Sequence, residues 1–533
     1  MNGTHVQVRA PQRWAGLGVL VLAVTLVAVD ATVLSLALPS ISESLHPSGT
    51  QLLWIGDAYS FVLAGLLVSM GALSDRIGRR RLLLLGSTAF GAASLLAAYA
   101  PSAGWLILAR ALLGVAGATI MPSTLSLIRA LFPDARERAT AIGIWGAGAT
   151  AGAALGPLVG GLLLEHFWWG SAFLLNLPVL ALLLALGRWL LPESRDPRPG
   201  RWDAASVVLS LAGVIGVVYG VKEAAAHGPL SHWSVPAAFV LGAAALVAFV
   251  RRQLRLETPL LDVRLFADRR FTAAVVGTLT SLIGLSGVIF FMSQYLQLVR
   301  GMSPLTAGIA EMPAFVGAVV GGLLTARVAR RTGARATLTG GLLVMGAGLA
   351  VLGLVHTDST YLLLGTAFLA VGTAEGVVYT LASDLVLGAA PAEKSGAASA
   401  VSETAYELGT ALGIALVGSV VTALYAGALR VPAGVDATQA RESIGGAVET
   451  ARTLPQAAGA RLIADAEQAF VHGMNVAAWL AAGLLLVSAA LAWRLLRHPH
   501  GGNAAATGPV EVGPHSDEEP TEPAPTPTPA RAA

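Results

Sequence analysis

The amino-acid sequence predicts an all-α membrane protein with fourteen transmembrane helices, and three observations support that class. Of 533 residues, 55% are hydrophobic and only 12% are charged, about half the charge of an ordinary soluble domain. Apolar runs of about 20 residues, the length that crosses a bilayer, recur along the chain. The loops between them alternate between arginine-rich and arginine-poor, as a chain crossing back and forth requires.

The spans are read in order as 15–39, 51–73, 81–100, 104–128, 139–164, 170–191 and 203–223, then 234–253, 270–296, 304–327, 336–355, 360–388, 397–426 and 472–496. Arg9 and Arg13 before the first run resemble the start of a secretory signal. The run continues past Asp30 to Pro39 without an Ala-x-Ala cleavage site, so it reads as a retained helix. Every second loop is then basic. These loops carry Arg76, Arg79, Arg80 and Arg81; Arg129, Arg136 and Arg138; Arg188, Arg195, Arg198 and Arg201; Arg251, Arg252, Arg255, Arg264, Arg269 and Arg270; and Arg327, Arg330, Arg331 and Arg335, with Lys394 following. The other side carries Lys222, Arg300, Arg430, Arg441, Arg452 and Arg461, and Arg110 lies within the fourth span. The positive-inside rule therefore predicts a multi-pass protein of the cell (inner) membrane with both termini in the cytoplasm. Between the last two spans, 435–453 and 455–470 are alanine-rich and mildly amphipathic around Leu454–Pro455, which predicts an extracellular helical hairpin within 427–471. The Pro-, Thr- and Glu-rich segment 498–533 reads as a disordered cytoplasmic tail.

Several functions are excluded by residue type. With no cysteine there is no disulfide, thiolate metal site or Cys nucleophile. Lys222 and Lys394 follow Val221 and Glu393, so no phosphate-binding Gly-Lys loop exists. The histidines form no metal-spaced cluster. No catalytic group, metal or cofactor is expected, and the sequence predicts no enzyme. The net charge of +3 resides in the inter-span loops, which points to membrane lipids rather than nucleic acid; no obligatory protein partner is evident. An ion gradient remains as the energy source, worth about 2.3 kcal/mol per charge per 100 mV.

Seven carboxylates lie inside the spans: Asp30, Asp57, Glu311, Glu375, Asp384, Glu403 and Glu407. Each costs about 2.5–3.5 kcal/mol near the bilayer centre, so their retention points to use, most simply to hold protons or attract cationic cargo. Asp30, about 15 residues or ~22 Å into its helix, is the leading proton-binding candidate, with a structural pair to Arg110 as the alternative. Glu403 and Glu407 share a helix face one turn apart and resist ionising together. Glu375 and Glu407 read as mid-membrane groups facing a cavity. Glu311 and Asp57 are placed near the outer surface, and Asp384 near the cytoplasm as a structural group. Among the aromatic residues, Tyr379 included, Tyr59, Trp145 and Tyr406 are selected as cation–π candidates.

The loop after the second span reads Gly71-Ala-Leu-Ser-Asp75-Arg76-Ile-Gly78-Arg79-Arg80. Gly78 suits a tight turn, Asp75 can accept hydrogen bonds at a neighbouring helix end, and the arginines can anchor to anionic lipid. The fifth span holds Gly148, Gly152, Gly156, Pro157, Gly160 and Gly161, a small-residue repeat that lets helices approach and a proline that can bend one. Asp30-Ala-Thr32…Ala37-Leu38-Pro39, Trp54-Ile-Gly-Asp57-Ala-Tyr59, Arg110-x-x-Leu113-Gly114 and Glu403-Thr-Ala-Tyr406-Glu407 complete the set.

On these motifs the chain, over about residues 13–496, resembles the major facilitator superfamily, and within it the fourteen-helix drug:proton antiporters of the QacA/SmvA type. Ser35 and Leu113 stand where those pumps commonly have Asn and Gln. No acid follows Pro313, where some of them have one. The resemblance implies two six-helix bundles around a central cavity with two inserted helices. It divides the chain into 1–14, an N-terminal bundle at 15–195, a linker pair at 196–256 and a C-terminal bundle at 257–497. All seven acids then fall on the spans that line the cavity in that superfamily. The implied function is proton-coupled export of lipophilic cationic drugs, dyes or quaternary ammonium compounds by alternating access. Arg110 would assist proton transfer, the 71–79 loop would gate, and the Gly156–Pro157 run would serve as the antiporter motif. Export of a neutral or anionic natural product is the alternative, and a transport-inactive receptor on the same scaffold a more distant one.

Overall fold

The computed structural model describes residues 10–47, 49–195, 203–227, 233–257, 259–391, 394–431, 440–441 and 443–497. All regular structure among them is helical. The N-terminal half comprises α1 (Ala10–Leu45), α2 (Gly49–Ile77), α3 (Arg79–Ala98), α4 (Ala103–Leu131), α5 (Ala135–His166), α6 (Ser171–Leu174) and α7 (Asn176–Leu190). Two further helices follow, α8 (Ala204–His227) and α9 (Ser234–Arg255). The C-terminal half comprises α10 (Arg269–Gln294), α11 (Pro304–Leu352), α12 (Tyr361–Ala389), α13 (Ser395–Ala428), α14 (Ile444–Arg452) and α15 (Gln456–Leu495).

Twelve segments among the described residues are long and apolar enough to cross a membrane. One of them, Thr306–Leu352, holds two passes, because Gly333 at φ 79 and ψ 158 breaks the helix in a conformation that favours glycine. The 32-residue α5 runs full length beside α1. Short polar residues set the helix starts. Asp134 accepts from the N–H groups of Arg136 and Glu137 at the start of α5, and these bonds, chiefly the one from Glu137, hold its carboxyl below the usual range. Ser303 caps α11 ahead of Pro304.

Packing repeats between the halves. In the first, α1 lies on α5 and α2 on α4; in the second, α10 lies on α13 and α11 on α12. The halves join through α2 against α13 and α5 against α11. The second long helix of each half thus meets the fifth of the other, the exchange a pseudo-twofold axis produces. Glycine permits both seams: a Cβ at Gly71 would lie 2.6 Å from that of Ala400, and one at Gly143 would lie 2.5 Å from the Gly322 carbonyl oxygen.

The basic loops gather at one end of the bundle. There Arg13 pairs with Glu137 at 2.9 Å, the Arg79 N–H donates to the Ser194 carbonyl, and Arg335 lies over the Trp493 ring. The same end carries the described hydrogen bonds that cross between the halves. Asp75 accepts from Gly396 N (2.9 Å) and Ala397 N (3.1 Å), Arg138 pairs with Asp384 (2.8 Å), Ser126 meets Ser399 (3.3 Å), and Arg129 donates to the Leu387 carbonyl. The halves are therefore latched at their arginine-rich end.

The inserted pair is asymmetric. Helix α8 packs on both α2 and α13, with Ser210 donating to the Gly65 carbonyl and Val214 and Val218 packed among Phe61, Ala64, Leu408 and Ala411. Helix α9 leans on α8. Asp203 joins them, taking two bonds from Arg252 (2.6 and 3.0 Å) and one from Ser206 (2.6 Å). The Arg252 hydrogen bond is the main reason its carboxyl is lowered to about 2.

Three sequence expectations differ in detail. The span predicted at 170–191 is divided at Leu175 into α6 and α7. The hairpin predicted within 427–471 turns at Leu454–Pro455, but its second arm is no separate helix. Nothing after Gln456 breaks the backbone, so the arm and the predicted 472–496 span form the single 40-residue α15, against which α14 packs. Residues 1–9, 196–202, 432–439, 442 and 498–533, including the predicted tail, lie outside the described residues.

Candidate functional site

Three carboxylates and three aromatic rings come together where the halves meet. Glu375 stands at the middle of α12, and Glu403 and Glu407 lie ~12 and ~18 Å from the start of α13. On α12 the spacing places Glu375, Tyr379 and Ser383 along one face. The Tyr379 hydroxyl donates to Glu403 Oε1 at 2.8 Å. Glu403 Oε2 is buried without a protein partner, and the residue as a whole is 1% exposed. Trp145 of α5 stacks on Tyr379 at 6.1 Å between centroids and 17° between planes, and Tyr406 meets the other side of Tyr379 edge-on at 5.2 Å. The Trp145 Nε1–H is satisfied by Thr124 at 3.2 Å, as a buried indole requires. Glu375, Glu403 and Glu407 all act electrostatically on the Tyr406 hydroxyl. Glu375 and Glu407 are half-buried rather than sealed. Glu407 also lies within Coulombic reach of Tyr59 of α2, so it faces the opposite half and not lipid.

Asp30 occupies a different setting. Its Oδ2 accepts from Arg110 Nη1 at 3.2 Å and its Oδ1 from Asn176 Nδ2 at 2.8 Å; Asn176 also donates to Ser94. Arg110 donates further to the Ile55 carbonyl and covers the Tyr59 ring at 4.7 Å. Asp30 is 4% and Arg110 1% exposed. The sequence placed Asp30 and Tyr59 on the cavity lining, but both are enclosed within the N-terminal half. A carboxylate can be buried this deeply because a guanidinium and an amide replace its water.

The remaining candidates distribute as follows. Glu311 is half-buried, near Ser293, at the end remote from the arginines. The side chain of Asp57 lies outside the described residues. In the 71–79 loop, Gly71 packs on Gly396, and Asp75 both caps α13 and pairs with Arg79 at 3.0 Å. Gly78 turns at φ 111, while Arg76 ends α2. Gly148, Gly152 and Gly156 face Val21, Thr25 and Thr32 of α1, with Thr25 donating to the Gly148 carbonyl. Gly160 is buried, and the side positions of Pro157 and Gly161 lie outside the described residues. Two residues escaped selection. Asn176, a lone amide in an apolar span, carried a usable signal. Tyr379 had been weighed, but its contacts with Trp145 and Glu403 are tertiary.

Two facing helical bundles, latched at one end and with acids at mid-depth, define a membrane transporter. The chain belongs to the Major Facilitator Superfamily, whose family model matches residues 20–414. It is 48% identical over 495 residues to the multidrug efflux pump LfrA of Mycolicibacterium smegmatis, covering 92% of this chain and 98% of that one. It is 39% identical to the methyl viologen resistance protein SmvA of Salmonella typhimurium (90% and 98% covered) and 36% identical to the puromycin resistance protein pur8 of Streptomyces alboniger (91% and 92%). The crystal structure of the human organic anion transporter MFSD10 (TETRAN) aligns with a TM-score of 0.62 over 91% of this chain and 100% of that one, at 17% identity, a likeness of fold.

Proposed function

We propose that the protein is a proton-coupled exporter of lipophilic cations, working by alternating access in the cell membrane with its arginine-rich end toward the cytoplasm. The observation that carries this reading is the cluster of Glu375, Glu403 and Glu407 with Trp145, Tyr379 and Tyr406 at mid-depth between the halves. Ionised carboxylates supply attraction for a cation and the ring faces supply cation–π contact. A cation and a proton then compete for the same acids, so one leaves as the other binds. Asp30 serves as a second proton site: protonating it cancels its attraction for Arg110 and frees the guanidinium. Glu311 and Asp57 guide cations nearer the outer mouth. The latched arginine-rich end corresponds to the state open to the outside.

The relatives support drug export, since they are named for multidrug efflux, methyl viologen resistance and puromycin resistance. A second reading, export of an uncharged natural product, draws on another relative, the tetracenomycin C resistance and export protein of Streptomyces glaucescens. Reconstituted vesicles with an imposed pH gradient and a fluorescent quaternary cation decide between them. We expect gradient-driven exchange that Glu407→Gln abolishes while the variant still inserts and folds. Exchange indifferent to the gradient removes proton coupling, and failure to move any cation favours the second reading.

A further inference from the structure

Tyr59 combines three features that its place in the transporter site does not explain. Its ring face is already covered by Arg110, so it offers no free surface to cargo. Its hydroxyl is buried and has no hydrogen-bond partner in the protein, although buried hydroxyls are almost always satisfied. The space beside that hydroxyl is kept open by Gly117 of α4, where a Cβ would approach Oη to 3.1 Å. The charged groups acting on it come from three helices: Asp30 of α1, Arg110 of α4 and Glu407 of α13. It therefore stands between a sealed ion pair in one half and a half-buried acid in the other.

We propose that Tyr59 is a positioning residue that carries the charge state of Glu407 across the seam to the Asp30–Arg110 pair. An ionised Glu407 draws the idle hydroxyl as a donor, which swings the ring and the guanidinium resting on it. A protonated or cation-occupied Glu407 makes no such demand and leaves Arg110 on Asp30. The phenol keeps its own proton throughout, and only its hydrogen-bond direction changes. Glu403 lies one turn away on the same face, and Glu375 with Glu403 and Glu407 surrounds Tyr406, so the demand on Tyr59 reports the charge of the whole acidic group.

This inference rests on the assignment of Glu407 to exchange, and the two can fail separately. The test measures efflux of the fluorescent cation from vesicles between pH 5.5 and 8.5 (roughly the range in which coupled acids change charge). It compares the native chain, Tyr59→Phe, Glu407→Gln and the double variant, with equilibrium binding of the cation at one pH. Tyr59→Phe preserves the ring under Arg110, so folding and cation affinity should hold while the pH midpoint of efflux shifts by about half a unit or more, a threefold change in proton affinity. Adding Tyr59→Phe to Glu407→Gln should change nothing further. A Tyr59→Phe profile that overlays the native one overturns the proposal, and so does an equal added effect in both backgrounds. A native chain without any pH dependence overturns the exchange assignment on which it rests.

Discussion

Arg110 bears a full charge in an enclosed apolar bundle because every direction of its guanidinium is answered: Asp30, the Ile55 carbonyl and the Tyr59 ring. Removing one partner of such a pair leaves the other charge buried and uncompensated, which typically costs about 3–5 kcal/mol. Arg110→Ala should therefore lower the detergent unfolding midpoint markedly, and adding Asp30→Asn should restore most of the loss. Additive losses would mean that the two residues act independently. The seven acids and Arg110 were legible in the sequence because charge inside an apolar span is conspicuous. Their sorting was not. Asp30 fell to the sealed pair through Asn176, 146 positions away, and Glu403 was matched to Tyr379 on another helix. Such pairings depend on the relative rotation of packed helices, which a one-dimensional pattern does not encode.

Single helices followed the apolar runs closely, because a bilayer demands length and internally paired backbone before it demands any particular side chain. The departures arise where no breaker marks a boundary. Helix α15 runs unbroken from Gln456, whereas Gly333 alone separates two passes of α11. Packing of α1 on α5 is set by the glycine repeat: a Cβ at Gly152 would come 2.6 Å from the Thr25 carbonyl oxygen. Gly152→Leu should overpack this contact and destabilise by about 1–3 kcal/mol, with transport falling as the helices are forced apart. A variant with native stability and transport would show the contact to be slack. At the α8–α9 junction the Asp203 carboxyl is held near 2, against ~3.9 in an unfolded chain. Its contribution is thus complete above about pH 4 and fades as pH falls toward 2. The gap in unfolding midpoint between the native chain and Asp203→Asn should be open at pH 6 and closed by pH 2. A gap of equal size at both would place the stabilisation outside this ion pair.

The two halves as a whole are held together at one end through Asp75, whose carboxylate receives two N–H groups from the start of α13 and a guanidinium from Arg79. Charge-assisted bonds of this kind contribute about 1.5–3 kcal/mol each. Asp75→Asn should release the latch and raise the population open at the arginine-rich end. The native chain lacks cysteine, so a single Ser399→Cys, buried against Ser126 in the latched state, reports this without background. Maleimide labelling of that position should accelerate about tenfold or more in the Asp75→Asn chain, the equivalent of ~1.4 kcal/mol. Unchanged labelling would mean that other contacts hold the end shut.

The roof that α8 forms over the α2–α13 seam has no counterpart over α5 and α11 among the described residues, where Val316, Val320 and Leu323 stand exposed. The bundle is thus two-sided in symmetry but one-sided toward the lipid. A greasy solute drifting in the leaflet meets a shuttered flank on one side and a bare joint on the other. Any sideways doorway into the protein has a single address.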